Sequence, residues 1–160
     1  ANDTSNAIRL ADNIDPFAPI NLTLINDLSQ SYAFKTVALM KASLLVFPVG
    51  KKIFWQGYYS ESDGGDNWGI VTSGTHTEDG GSIFTLADGN YIASNLKGNK
   101  LNVAKFGVIG DIDRSAQMQI AVNYPATADN QELYMPSGVY KFANIDIPSP
   151  FVLVVNLVKL

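Results

Sequence analysis

Residues 95–142 read NLKGNKLNVAKFGVIGDIDRSAQMQIAVNYPATADNQELYMPSGVYKF, and their layout decides the fold. A short strand precedes Phe106-Gly107, a pair that turns the chain. Asp111 and Asp113 stand just before Ser115 and an amphipathic run, where carboxylates cap a helix and complement its dipole. Met118, Ala121 and Val122 share one narrow face of that run. The spacing predicts a helix over Ser115–Tyr124 that Pro125 ends, because proline has no N–H to donate. A strand carrying YMPSGVYKF follows, with Pro136, Ser137 and Gly138 turning the chain before Val139–Phe142. Glycine third in such a turn suits type II geometry, so Gly107 and Gly138 are both expected as backbone-limited positions with no chemical role.

Upstream, Thr36–Leu45 reads as a short helix with Thr36 as N-cap, Val37, Met40 and Leu44 on one face, and Pro48 closing the segment. KKIFWQGYYSESDGGDNWGIVTSG (residues 51–74) then gives a strand, a Gly/Asp-rich loop and a second strand. Asp79-Gly80-Gly81 and Asp88-Gly89 punctuate further strands at Ser82–Leu86 and Asn90–Ala93, at hairpin spacing. These pieces make a small antiparallel β unit fronted by one helix. Ala1–Ser31 is polar and broken by Pro16 and Pro19, with an edge-strand pattern only at Ile20–Leu28. Three parts are therefore expected: an N-terminal arm over 1–34, a β-rich domain over 35–100, and a neck leading into further strands over 101–160. Phe151–Leu160 (FVLVVNLVKL) is apolar and β-prone, an aggregation risk unless neighbouring chains or further residues cover it.

Composition narrows the function. Of the 160 residues 46% are hydrophobic and 16% charged, which indicates a packed core rather than a disordered chain. A net charge of −4 without a basic run argues against nucleic acid as a partner. No cysteine is present, so a disulfide framework, thiol catalysis and a cysteine zinc site are excluded. The N-terminus lacks a signal-peptide pattern and no apolar run reaches about 18 residues, so no membrane partner is expected.

Two sets of motifs carry a family resemblance. Lys105, Phe106, Gly107, Gly110 and Asp111, then Met118, Gln119, Ala121 and Val122, then Tyr134, Met135, Pro136, Gly138 and Tyr140 resemble the lead-in to the right-handed parallel β-helix of bacteriophage tailspikes and related polysaccharide-degrading proteins. Upstream, TVALMKA, VGKKIFWQGYYSESDGG, DGGSIF and DGNYIASNLKG resemble, in order, the small domain preceding that β-helix. Ser62 stands where a glycine is common, Ile112 interrupts the usual Gly-Asp-Gly turn, and 151–160 lacks the expected Gly-bearing turn.

The resemblance implies a mainly β fold with two short helices: a small antiparallel β unit, then a capping helix and the first strands of a parallel β-helix. The helix face Met118, Ala121 and Val122 would cap the open end of that β-helix and shield its strand edges. It implies a structural N-terminal module of a tailspike or tail fibre, made in the host cytoplasm and residing in the virion tail. The implied partners are two further copies in a homotrimer, other virion tail proteins, and bacterial surface polysaccharide through downstream domains. Two alternatives stand beside it: the front portion of a capsule or O-antigen depolymerase whose active site lies beyond residue 160, and a carbohydrate-binding module.

No residue constellation announces chemistry within the chain, and no catalytic, cofactor-binding or metal-binding residue is expected. His76 is the single histidine, in a polar loop without a G-x-S-x-G serine, so it reads as an exposed loop residue. Asp63, Asp66, Glu78 and Asp79 crowd loops but lack EF-hand spacing, and Asp-Gly pairs are ordinary turn chemistry. Asp111 and Asp113 read as helix caps before they read as a carboxylate pair. No G-x-G-x-x-G fingerprint supports a nucleotide. Trp55, Tyr58, Tyr59 and Trp68, with Phe54, crowd one stretch; they are candidates for a sugar platform or a subunit contact, although strand aromatics more often build a core. Gly107, Asp111, Pro136 and Gly138 are assigned to turns and caps.

Overall fold

The computed structural model describes residues 32–98, 100–127 and 132–148. Their fold is mainly β with two helices, α1 (Val37–Lys41) and α2 (Ser115–Thr127). Five strands, β1 (Tyr32–Phe34), β2 (Lys52–Trp55), β3 (Asn67–Thr72), β4 (Ile83–Thr85) and β5 (Tyr91–Ser94), form one sheet in the order β1-β2-β3-β5-β4. The expectation of a purely antiparallel unit needs correction, because β1 pairs parallel to β2, with Phe34 opposite Trp55. The other three pairings are antiparallel.

Alternation drives the sheet's burial. In β2, Ile53 and Trp55 point to the core while Phe54 stands on the opposite face. Val71, Ile92 and Phe84 continue the buried face, which Val37, Met40 and Phe47 cover. The β4–β5 hairpin closes where the Leu86 N–H donates to Asn90 O, with Asp88 accepting the Asn90 N–H.

Helix α1 is shorter than its periodicity suggests. Thr36 caps it as expected, Oγ1 accepting the Leu39 N–H, and Val37 and Met40 are buried. The helix stops at Lys41 with Ala42 as C-cap, and Leu44 is 91% exposed instead of sharing the buried face. Ser43 is the local cause: its N–H bonds back to Met40 O in a tightened turn, and its Oγ takes the Leu45 N–H. Phe47 then fills the core position expected of Leu44.

Below the sheet, β6 (Lys100–Asn102) leads into a 3-10 turn, Val103–Phe106, and pairs parallel with β7 (Glu132–Tyr134). Leu101, Val103, Phe106 and Val108 form a second core with Leu96 and the α2 residues Met118, Ala121 and Val122. The predicted apolar face of α2 is therefore a packing face onto this core. The helix runs to Thr127, past Pro125; in a last turn a proline removes only one intrahelical bond. A parallel bridge joins Asp113 to Lys141, so of the strand expected to carry residues 134–142 only Tyr134, in β7, and this single pairing are formed. Parallel pairing is thus present in the neck, but no β-helical coil closes among the described residues. No helix there is long and apolar enough to cross a membrane. The patterns at Ile20–Leu28 and Phe151–Leu160 lie outside the described residues.

The predicted turns separate. Gly107 has φ of 79°, in the left-handed region that favours glycine. Gly138 does not have positive φ, so the type II turn is not formed. The Tyr140 hydroxyl donates to Pro136 O at 2.7 Å and holds that loop by another means. Asp113, not Asp111, accepts the Ser115 hydroxyl and the Ser115 N–H at the start of α2, which together hold its carboxyl below the usual aspartate range. Asp111 instead faces Lys141 Nζ at 3.6 Å on the surface.

Candidate functional site

The loop between β2 and β3 is built around Asp63. Its carboxylate accepts the N–H groups of Tyr58, Tyr59, Ser60 and Gly65 at 2.7–3.0 Å. Burial alone would raise its pKa, but these four donors outweigh that and lower it. Asp79 organises the next loop, accepting the N–H groups of Gly81, Ser82 and Ile83. Both carboxylates are thereby committed to backbone. Ser62, at the position where glycine was expected, takes φ of 62°.

The structure disperses the aromatic cluster. Trp55 is buried, donating Nε1–H to Gly65 O and packing edge-on against Phe84. Tyr58 packs against Phe84 and Tyr59 and donates its hydroxyl to Gly80 O; burial, with the neighbouring Tyr59, pushes its pKa far up. Tyr59 lies under the Arg114 guanidinium, 4.0 Å from the ring centroid, where the sheet unit meets the neck. Trp68 alone of the four lies on the outer sheet face, half-buried beside Phe54 across the strand pair. The ammonium of Lys52 stands 3.9 Å over its ring.

His76 is half-buried and not simply exposed. Nδ1 contacts Gly74 O and Nε2 contacts Thr85 Oγ1, each at 3.0 Å, while the ring stacks near Tyr91. Both nitrogens are engaged structurally, which is not the geometry of a catalytic triad.

An open cleft of about 1190 Å³ lies at the junction of sheet and neck. Trp68 and Phe54 supply its apolar wall; Asp66, Asn67, Asn95 and Lys105 supply polar groups. Lys105 Nζ donates to Asn67 Oδ1 at 3.3 Å, and desolvation lowers the lysine pKa while Asp66 opposes that shift. Asn102 lines the cleft but is spent: Oδ1 caps Ala104 N and Nδ2 donates to Gly64 O. Sequence reading singled out Trp68 and Asp66, named Lys105 only within the family motif, and missed Asn67 and Asn95. Their one available signal was the placement of Asn67 beside Trp68 at the start of a strand.

With this geometry in hand, the fold can be compared. No family model matches the sequence. No curated protein matches it either. Solved structures do: the fold is similar to part of phage tailspike-like proteins. The tailspike protein gp49 of an Acinetobacter baumannii bacteriophage, a capsular polysaccharide depolymerase, matches with a TM-score of 0.54 at 18% identity over 66% of this chain and 21% of its own. WceF of Pantoea stewartii, a glycan biofilm modifying enzyme with a tailspike-like parallel β-helix fold, matches with 0.52 at 21% identity over 63% and 15%. The tailspike protein of an Acinetobacter phage matches with 0.52 at 19% identity over 68% and 19%. This chain thus spans about a fifth or less of the length of each.

Proposed function

We propose that the chain is the N-terminal structural module of a phage tailspike or tail fibre, attaching the spike to the virion and leading into a receptor-binding β-helix. The observation that carries the reading is the succession of sheet unit, 3-10 turn, helix α2 and parallel strand pair in one chain, together with its similarity to tailspike structures. The module resides in the virion tail, docks other tail proteins, and reaches bacterial surface polysaccharide through further domains. Gly107, Asp111, Pro136 and Gly138 serve turns and surface contacts in this reading, with no chemical role.

It assembles as a homotrimer. Leu44, Leu45, Val46 and Val49 are all more than half exposed, and a closed cyclic assembly hides such residues symmetrically. Light scattering at micromolar concentration is expected to give about three times the 17.3 kDa chain mass. A monomer mass would count against the reading.

The runner-up, the front of a polysaccharide depolymerase, takes support from the capsular polysaccharide depolymerase among the similar structures. Incubation of the chain with capsular polysaccharide separates the two. The structural reading expects no new reducing ends or unsaturated uronates, and their appearance would replace it with the enzymatic one.

A further inference from the structure

We infer that Asp88-Gly89, at the tip of the β4–β5 hairpin, is a site of spontaneous backbone modification, where the aspartate isomerises to isoaspartate. The reaction needs an aspartyl carboxyl and, directly after it, an amide nitrogen within reach of Cγ. Glycine suits that following place because it has no side chain to hinder the approach or the rotation it requires. The sequence holds three such pairs, Asp63-Gly64, Asp79-Gly80 and Asp88-Gly89. Local sequence makes them alike; the fold makes them different.

Two of the pairs are locked. Asp63 uses both oxygens on backbone: the Tyr58 and Gly65 N–H groups donate to Oδ1, those of Tyr59 and Ser60 to Oδ2. Burial acts to raise its pKa, but the four donors outweigh that and lower it, so the neutral carboxyl that reacts is scarce. Asp79 is held through Oδ1 by three N–H groups and through Oδ2 by the Ser82 hydroxyl. The Asp79 N–H donates to Ile83 O, and Gly80 O accepts the Tyr58 hydroxyl, so the backbone on both sides is fixed too. In either loop, several hydrogen bonds must break together before Cγ can reach the next nitrogen.

The third pair is open. Ala87, Asp88 and Gly89 are all exposed, and a Cβ at Gly89 would meet nothing within 4 Å. Among the described residues the Asp88 carboxylate accepts from Asn90 alone, the backbone N–H at 3.0 Å and Nδ2 at 3.1 Å. Both bonds lie in the exposed tip, where water competes for the same groups. The Gly89 N–H makes a single turn bond, to Leu86 O at 3.1 Å.

The step balances with water as its sole co-reactant. The Gly89 nitrogen attacks Asp88 Cγ, an N–C bond forms, and the carboxyl hydroxyl leaves as water with the amide proton. The cyclic imide then takes one water back. Opening at Cγ restores aspartate; opening at the α-carbonyl leaves the main chain running through Cβ, with a free α-carboxylate. The extra methylene enters the turn that the Leu86 N–H closes onto Asn90 O at 2.8 Å, so the turn no longer matches its strands. Because β4 lies at the edge of the sheet, the loss falls on the edge hairpin and its Phe84–Ile92 pair.

The test incubates the full chain in mildly acidic buffer, with circular dichroism confirming that it stays folded. An isoaspartate-specific carboxyl methyltransferase with labelled S-adenosylmethionine counts the product, and electron-transfer fragmentation of peptides places it. Isoaspartate is expected at Asp88 at roughly ten times the rate at Asp63 or Asp79, or more. In urea, which releases the loops, the three pairs should isomerise at similar rates. Asp88→Glu keeps the exposed charge but cannot close the same ring, so the folded variant should lose most of its methyl acceptance. Equal rates at the three pairs in the folded chain would overturn the inference, as would no isoaspartate at Asp88 over a period in which the unfolded chain forms it. A preference for Asp88 that persists unchanged in urea would assign the effect to local sequence and overturn the structural argument. The proposed place in the virion is tested separately and does not stand or fall with this result.

Discussion

Asp63 and Gly107 show how single residues hold the loops that the rest of the molecule packs on. Asp63 gathers four backbone donors, so Asp63→Asn should destabilise the fold by about 1 kcal/mol, the ordinary value for such bonds where solvent screens them. Its folded pKa is lowered, so the unfolded chain binds the proton more tightly. The stabilisation is complete above the ordinary aspartate value of 3.8 and is lost as the pH falls through the lower folded value. Melting temperatures from pH 2 to 6 should therefore fall with acid more steeply in the wild type than in Asp63→Asn; identical slopes would contradict this. At Gly107 a side chain meets both a left-handed φ and the rings of Tyr58 and Tyr59, its Cβ only 2.7 Å from the first. Gly107→Val should cost on the order of 2–4 kcal/mol, from strain and overpacking together, measured by urea unfolding. Gly138→Val should cost less than about 1 kcal/mol, because φ is not positive there and the nearest atom to a Cβ is 3.4 Å away. The two glycines look alike in sequence, each beside a turn. The difference lies in tertiary neighbours, Tyr58 and Tyr59 at one and only Tyr140 at the other, which no local pattern encodes.

At the scale of elements, local chemistry was legible and non-local pairing was not. Ile53 and Trp55 alternate with Phe54 and announce a strand buried on one face. Thr36 announces the start of α1, but its end depends on which way Ser43 spends its hydrogen bonds, and periodicity carried Leu44 into the helix wrongly. Met40→Ala should therefore cost about 2–5 kcal/mol, whereas Leu44→Ala should stay within about 0.5 kcal/mol. Equal losses in thermal unfolding would restore the longer helix. The parallel placement of β1 beside β2 was invisible because a three-residue strand with no turn to its partner carries no register signal. The cleft was hidden for the same reason: Asn67 and Lys105 lie 38 residues apart and meet only once sheet and neck are assembled. The aromatic cluster was legible as a cluster, yet strand alternation sends Trp55 inward and Trp68 outward, so proximity in sequence did not make one platform.

At the scale of the molecule, two buried clusters, one under the sheet and one against α2, meet through Asn102, Lys105 and Arg114. The resemblance read from ordered motifs and the similarity of the fold point the same way, and neither supplies catalytic residues within the described chain. The central claim is a place in the virion tail, and labelling measures it directly. On the proposed reading, gold-conjugated antibody raised against this chain should decorate the tail of intact particles of the encoding phage, beside the spike's attachment point, in electron micrographs. Particles decorated on the capsid, or left bare while the antibody recognises the same protein after denaturation of the purified virions, would contradict the account.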